Sequence, residues 1–357
     1  MAQTKWGILG TAAIAVERVI PAMSQTGSAV AHAIASRDLG KAQHWARHFG
    51  ISAAYGSYQD LLDDPEVDAV YIPLPNHLHV EWATRALDAG KHVLCEKPLC
   101  LTSAEARQLI HAQSRAGRYI EEGLAFRNHP QWDRVDQLIE QGTIGEPVAV
   151  HGTIAKRFLD PNDIRNNPAL GGGALYDLGV YVLSACNIIF RRPPRWVTGT
   201  INRDPEFGVD RLTSVILDYG EAHATFTAAS QAGTSAWATH QQFSVLGSHG
   251  WLRLSFPYAH ARPIKSRLEF GDQTSVGSVP TAVEMFPPIN QYALQLERFS
   301  RFVQGEPVRA WPLEDTLTSI TAIECIFRAA ETKSWVELVG GGGDIKTGHT
   351  GNRIVGR

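Results

Sequence analysis

The run His92-Val93-Leu94-Cys95-Glu96-Lys97-Pro98 ends a short apolar stretch on a carboxylate, an ammonium and a proline. Such a stretch suits a buried strand of a parallel sheet. In open α/β sheets ligands sit just beyond the carboxyl ends of the strands, so Glu96 and Lys97 fall where chemistry would be done. Pro98 cannot continue a central strand, and the chain must turn there. Taken alone, the two charges fit a surface salt bridge equally well. A second pair is Asp177 and Tyr181, four residues apart in a helical pattern from about Ala174 to Phe190. That spacing puts both on one helix face. Taken alone, they are a first-turn acid favoured by the helix dipole and a core tyrosine.

Other elements have to position these groups. Trp6-Gly7-Ile8-Leu9 is an apolar strand, followed by Gly10-Thr11-Ala12-Ala13-Ile14-Ala15 and a helical pattern from Val16. Gly10, Ala12 and Ala15 occupy the three small-residue places of G-x-G-x-x-G/A, with alanine at the second. A helix opening there presents free N–H groups and a positive dipole to phosphate. A second apolar run, Ala29 to Ala35, ends in Ser36-Arg37-Asp38. An acid at such a tip selects the ribose of NAD, whereas an arginine accommodates the 2′-phosphate of NADP. Ser36 and Arg37 stand at the tip, Lys41 can add a cation one turn on, and Asp38 suits the N-cap of a helix over Leu39 to Phe49. NADP is therefore expected over NAD.

Ser57 to Asp60 opens a short helix, and Asp68 to Ile72 is a strand stopped by Pro73-Leu74-Pro75-Asn76-His77-Leu78-His79. Asn76 suits a helix cap there. His77 and His79 have no Cys, Asp or Glu partner at ligand spacing, so no metal is expected. With Tyr119 to Gly123 as a further strand, apolar strands alternate with helices within about 125 residues, the pattern of a doubly wound nucleotide-binding domain.

The chain has 357 residues, which predicts two domains. With 33 basic and 36 acidic residues its net charge is -3, giving no basic footprint for nucleic acid and no polybasic membrane patch. The N-terminus lacks the pattern of a signal peptide. The apolar segment Val180 to Phe190 is too short for a membrane span. Cys95, Cys100, Cys186 and Cys325 form no CxxC pair and read as reduced, mostly buried thiols of a cytoplasmic protein.

Three segments together carry a family resemblance: Gly10 to Ala15, Tyr71 to His79, and Ala89-Gly90-Lys91 through Glu96-Lys97-Pro98. It continues through Phe126-Arg127-Asn128-His129-Pro130 and through Ile164 to Tyr181 with its Gly171-Gly172-Gly173 run. In this order they resemble the Gfo/Idh/MocA oxidoreductases, over the chain to about Val339. The likeness is greatest to the NADP-dependent xylose dehydrogenase and dimeric dihydrodiol dehydrogenase branch. The resemblance implies an N-terminal Rossmann domain, a doubly wound parallel sheet, over residues 1–125. It implies a C-terminal open, mostly antiparallel sheet with flanking helices over 126–339, for substrate binding and oligomerisation, whose last helices return to the first domain. Residues 340–357, opening with four glycines, read as a disordered tail.

The resemblance also implies site roles. Lys97 sits at the nicotinamide and at the reacting oxygen of the substrate, and the Lys97–Pro98 bond is cis. Tyr181 is the general acid/base and Asp177 orients the substrate hydroxyl. Cofactor contacts are implied for Gly10, Thr11, Ala12, Ala13 and Ile14, for Ser36, Arg37 and Lys41, and for Leu74, Asn76, His79, Glu96, Lys97 and Arg127. Arg165 is either a substrate contact or a salt-bridge partner. A phenol titrates near 10 and exchanges protons at neutral pH with the help of a nearby ammonium, for which Lys97 is the candidate. The expected protein is a homodimer or homotetramer through its C-terminal sheet. It moves hydride between NADP and a sugar, polyol or vicinal diol. The alternatives are a non-catalytic dinucleotide or sugar sensor, and an NAD-assisted glycoside hydrolase or lyase.

Overall fold

A computed structural model describes residues 3–233, 239–258 and 263–338; the tail expected over 340–357 lies outside the described residues. The chain divides into two compact units. One comprises residues 1–128 and 290–317, the other 129–289 and 318–338, within the described residues.

The first unit is built on β1 (Thr4–Leu9), β2 (Ala29–Ala35), β3 (Ala53–Tyr55), β4 (Ala69–Ile72), β5 (His92–Cys95) and β6 (Ile120–Glu122). They form a parallel sheet in the order β3-β2-β1-β4-β5-β6. The chain reverses direction beside β1, and the carboxyl edge at such a switch point is where ligands bind. β3 is a strand that the sequence pattern did not place. It has three residues, all half-buried, at the sheet edge, too short to show a period.

Helices cover both faces. A π-helical turn, Ala15–Val19, leads into α1 (Ile20–Met23). α2 (Leu39–Phe49) takes Asp38 as its N-cap, the side chain accepting from the Lys41 amide at 3.2 Å. α3 (Tyr58–Leu62) is capped by Ser57. α4 (His79–Asp88) follows a 3₁₀ turn, Asn76–Leu78, and neither Pro75 nor Leu78 supplies a side-chain cap. Asn76 therefore opens the turn rather than capping the helix. α5 (Ser103–Ala116) begins with a capping box of Thr102 and Glu105. Two apolar clusters result. Leu61, Val70, Val93, Leu109 and Leu313 share one; Trp6, Ile8, Ile34, Leu94 and Phe299 share the other.

The second unit begins with α6 (Pro130–Glu140) and β7 (Pro147–Ala155). A π-helical turn, Leu175–Gly179, leads into α7 (Val180–Phe190). By length and composition Pro168–Phe190 passes for a membrane span, but its apolar window is 89% buried in the fold, which marks a core helix. β8 (Trp196–Arg203), β9 (Asp210–Asp218), β10 (His223–Ala229), β11 (His240–Gly247), β12 (Trp251–Ser255), β13 (Ser266–Gly271) and β14 (Ala282–Phe286) follow. With β15 (Val336–Glu337) they give a nine-stranded sheet, β14-β13-β12-β11-β7-β10-β9-β8-β15. It is antiparallel except where β10 runs parallel to β7. β14 is an edge strand whose outward residues include Val283 and Met285, and the sequence reading had not placed it.

α8 (Gln291–Val303) belongs to the first unit and packs on β1 and β2, where the Trp6 indole donates to Ser300 Oγ at 3.0 Å. α9 (Leu313–Thr332) has its first residues in the first unit and the rest in the second.

Candidate active site

The Glu96-Lys97-Pro98 turn stands at the carboxyl edge of the parallel sheet and is tied on several sides. The Glu96 amide donates to the Ile72 carbonyl at 3.0 Å, extending the β4–β5 register by one residue. Tyr71, facing up from β4, donates its hydroxyl to Glu96 Oε1 at 2.6 Å. Burial and the Glu96 carboxylate push that phenol well above its ordinary range, so it stays a donor. The Gly123 amide donates to the Cys95 carbonyl at 2.6 Å. A Cβ on Gly123 would lie 3.0 Å from that oxygen and 3.2 Å from Glu96 Cα, so glycine lets the β6 end lie flat against the turn.

Beyond Lys97 the bond to Pro98 is cis, as the resemblance implied. The Leu99 amide donates to Glu122 Oε1 at 3.1 Å, and Thr316 donates to Glu122 Oε2 at 2.9 Å. The ring of His79, fully buried, places Nδ1 at 2.8 Å from the Pro98 carbonyl oxygen and Nε2 at 2.7 Å from that of Leu74. Both imidazole nitrogens are thus turned to main chain. His79 reaches the site by fixing two loops, not through a side-chain atom open to a ligand.

The turn after β1 has the shape a dinucleotide phosphate requires. Gly10 has φ +119° and donates to the Ala35 carbonyl at 2.9 Å; a Cβ there would sit 3.2 Å from Leu74 Cδ2. The helical turn after Thr11, Ala12, Ala13 and Ile14 has no side-chain cap, which suits an N-terminus that meets an anion. At the tip of β2, Ser36 is buried and its Oγ accepts from the Asp38 amide at 3.2 Å, while Arg37 and Lys41 are exposed.

Arg37 and Leu74 help line a cleft of ≈ 550 Å³, walled by Tyr58, Pro75 and Trp82. That volume is of the size that holds small ligands. Arg37 and Tyr58 face the same cleft, close enough for the guanidinium to act on the phenol. The Tyr58 ring meets Trp82 edge to face at 5.0 Å. Burial holds the Tyr58 phenol above its usual range, with Arg37 pulling the other way. Tyr58 and Trp82 were not singled out in the sequence; recognising β3 would have placed Tyr58 at the carboxyl edge.

Arg127, on the 3₁₀ turn Ala125–Asn128, is buried with its guanidinium over the Trp311 ring at 5.1 Å. Behind it Glu121 is gripped by Arg298 and accepts from Tyr119 at 2.6 Å, a buried ion pair fixing α8 beside β6. The four cysteines are free and buried. Burial pushes Cys186 to about 12 and Cys95 well above a normal thiol. They are packing groups rather than nucleophiles. No His, Cys, Asp and Glu cluster suited to a metal occurs among the described residues.

In the second unit, Asp177 lies within the π-helical turn and Tyr181 in the first turn of α7. Tyr181 is buried, its ring 6.1 Å from that of Tyr258. Arg165 comes to Asp177, Nε to Oδ1 at 3.1 Å, and also holds Asp163 at 3.1 Å, with its guanidinium 4.7 Å over Phe158. Asp177 is the main cause holding the Arg165 guanidinium above its ordinary range. The salt-bridge alternative for Arg165 is therefore realised.

The Gly171-Gly172-Gly173 run forms a closely packed turn. Gly171 has φ +75° and Gly173 φ +117°. A Cβ on Gly172 would come within 2.5 Å of the Arg165 carbonyl oxygen. The glycines permit close packing that folds Arg165 back onto the helix start.

Comparison with known proteins gives the same picture. Residues 4–124 match the model of the GFO/IDH/MocA oxidoreductase family with its NAD-binding Rossmann fold, and 132–253 match the GFO/IDH/MocA C-terminal domain. An uncharacterised oxidoreductase of Rhizobium meliloti is 42% identical over 93% of this chain and 98% of its own length. A D-xylose 1-dehydrogenase (NADP(+)) of Haloferax volcanii is 37% identical over 93% of this chain and 99% of its own. Among solved structures, a 3-ketoreductase from Actinomadura kijaniata in complex with NADP and TDP-benzene superposes with a TM-score of 0.80 at 28% identity, covering 92% of this chain and 98% of that one.

Proposed function

The chain belongs to the GFO/IDH/MocA oxidoreductase family, and we propose that it is an NADP-dependent dehydrogenase or reductase acting on a CH–OH carbon of a sugar, polyol or vicinal diol. One observation carries the reading: Lys97 stands on a turn tied through Glu96, Pro98 and Leu99 at the carboxyl edge of the parallel sheet. Such support is what a group that must meet a reacting atom requires.

Gly10 to Ile14 would hold the pyrophosphate, and Ser36, Arg37 and Lys41 the 2′-phosphate end. Leu74, Asn76, Glu96 and Arg127 would frame the rest, with His79 contributing through the loops it ties. When bound, NADP accepts or supplies the hydride. The chain's own residues handle the proton. Lys97 carries an ammonium toward the substrate oxygen. Tyr181 gives or takes the hydroxyl proton. Asp177, held by Arg165, accepts a hydrogen bond from a neighbouring substrate hydroxyl.

The nine-stranded sheet leaves Leu212, Ile216 and Leu246 exposed on its strands, which supports pairing with a second copy of the chain. The reading is tested by incubating the protein with aldoses, polyols and dihydrodiols, with NADP and NAD in parallel, and following the absorbance of reduced nicotinamide. Sustained NADP reduction supports it. Binding without turnover would favour a sensor. Substrate cleavage with no net cofactor change would favour a hydrolase or lyase.

A further inference from the structure

We propose that Asp210 is a positioning residue for the catalytic helix, its buried carboxylate setting the turn that carries Asp177 and the loop that delivers Arg165 to it. This rests on the reading of Asp177 and Tyr181 as site residues.

Asp210 opens β9 and is 1% exposed. Its Oδ2 accepts from the Leu175 amide at 2.8 Å and from the Thr213 hydroxyl at 3.0 Å. Leu175 begins the π-helical turn, so its amide is one that no intrahelical carbonyl reaches. Ala174, in the N-cap place, offers no side-chain acceptor. The acceptor comes instead from a residue 35 positions along the chain.

The other oxygen of Asp210 lies against Gly173, where a Cβ would come within 1.9 Å of it. Gly173 donates its amide to the Arg165 carbonyl at 2.9 Å and accepts from the Asp177 amide at 3.1 Å. One carboxylate therefore braces the residue bonded to both partners of the Arg165–Asp177 pair. Keeping a carboxylate there has a cost: burial raises Asp210 to about 6, against the pull of the Leu175 amide, the Thr213 hydroxyl and Arg203. A buried acid kept at such a cost beside a candidate site is what a positioning role predicts.

The test compares the full chain with Asp210→Asn, Asp210→Ala and Thr213→Val. Measurements are kcat, KM, NADP affinity by fluorescence titration and amide hydrogen exchange over residues 174–181. Asp210→Asn should lower kcat about tenfold and Asp210→Ala more, with NADP affinity unchanged within about twofold. Exchange over 174–181 should quicken about tenfold in step, while the parallel sheet keeps its protection. A milder loss from Thr213→Val keeps the proposal testable should Asp210→Ala fail to fold. Unchanged kcat and unchanged exchange in Asp210→Asn would overturn it. If the unmodified protein turns over no sugar or diol with NADP, the functional reading fails. The exchange measurement then decides Asp210 alone: quickening confined to 174–181 supports it, and no change overturns it.

Discussion

His79 and Pro98 are joined through an imidazole nitrogen 2.8 Å from a main-chain oxygen, and the ring's other nitrogen is 2.7 Å from the Leu74 oxygen. A neutral imidazole has one N–H, so it can donate to one carbonyl at a time. Burial favours that neutral form and pulls His79 below its ordinary 6.5, with the two carbonyls opposing. The ring bridges the loops that end β4 and β5, and the second of these carries Lys97.

His79→Leu removes the one hydrogen bond that the neutral ring donates to a buried carbonyl, at a cost of about 1–3 kcal/mol in urea unfolding. The pH dependence has a definite sign. The unfolded chain protonates His79 below about 6.5 while the folded chain resists, so the unfolded state binds more protons there. This residue's contribution is complete above about 6.5 and declines as the pH falls. Between about pH 5 and pH 8 the urea midpoint of His79→Leu should therefore vary less than that of the unmodified protein. An equal variation would show that His79 is not the titrating group.

Arg37, beside Tyr58 in the cleft, is the group expected to choose the cofactor. Arg37→Asp should raise KM for NADP about tenfold or more and leave KM for NAD nearly unchanged. Tyr58→Phe removes a hydroxyl beside the guanidinium, and a rise of about threefold for NADP is expected. Steady-state kinetics with both cofactors checks each; equal effects on NADP and NAD would place Arg37 away from the 2′-phosphate.

These residues show what could be seen in the sequence and what could not. β5 announces itself because a buried parallel strand is uniformly apolar, and the charged turn at its end is then located by the topology. Asp38 was legible because capping is local. β3 was missed because it is three half-buried residues, and β14 because its exposed edge carries Val283 and Met285. Glu122, Tyr58 and Asp210 were invisible for a different reason. Each works through a partner brought up by the fold, as Asp210 does with Leu175, and no spacing along the chain encodes such a meeting.

Lys97 and Tyr181 are the proposed proton-transfer groups. Lys97→Ala and Tyr181→Phe should each lower kcat on the order of 100- to 10,000-fold, the range that general acid–base groups supply. NADP affinity by fluorescence titration should hold, since the proposed phosphate contacts lie at the β1 and β2 tips. On the proposal that the two residues serve one proton transfer, the double variant should lose far less than the product of the single losses. Multiplicative losses would mean that they act in separate steps.

Gly123→Ala probes the placement of Lys97 without touching any charge. Gly123 does not have positive φ, so its backbone accepts alanine. The new methyl would nevertheless stand 3.0 Å from the Cys95 carbonyl oxygen and 3.2 Å from Glu96 Cα, and neither is the loose end of a flexible side chain. Relief requires β5 and its turn to move by a few tenths of an ångström. Overpacking of this kind costs about 1–3 kcal/mol, readable as a lowered melting temperature. A displacement of that size at a group meeting a reacting atom should lower kcat by roughly threefold to tenfold. KM for NADP should stay within about twofold, because Gly10 and Arg37 follow the ends of other strands, β1 and β2. A variant that melts lower but keeps full kcat would show that the turn can shift without carrying Lys97 out of reach of its substrate.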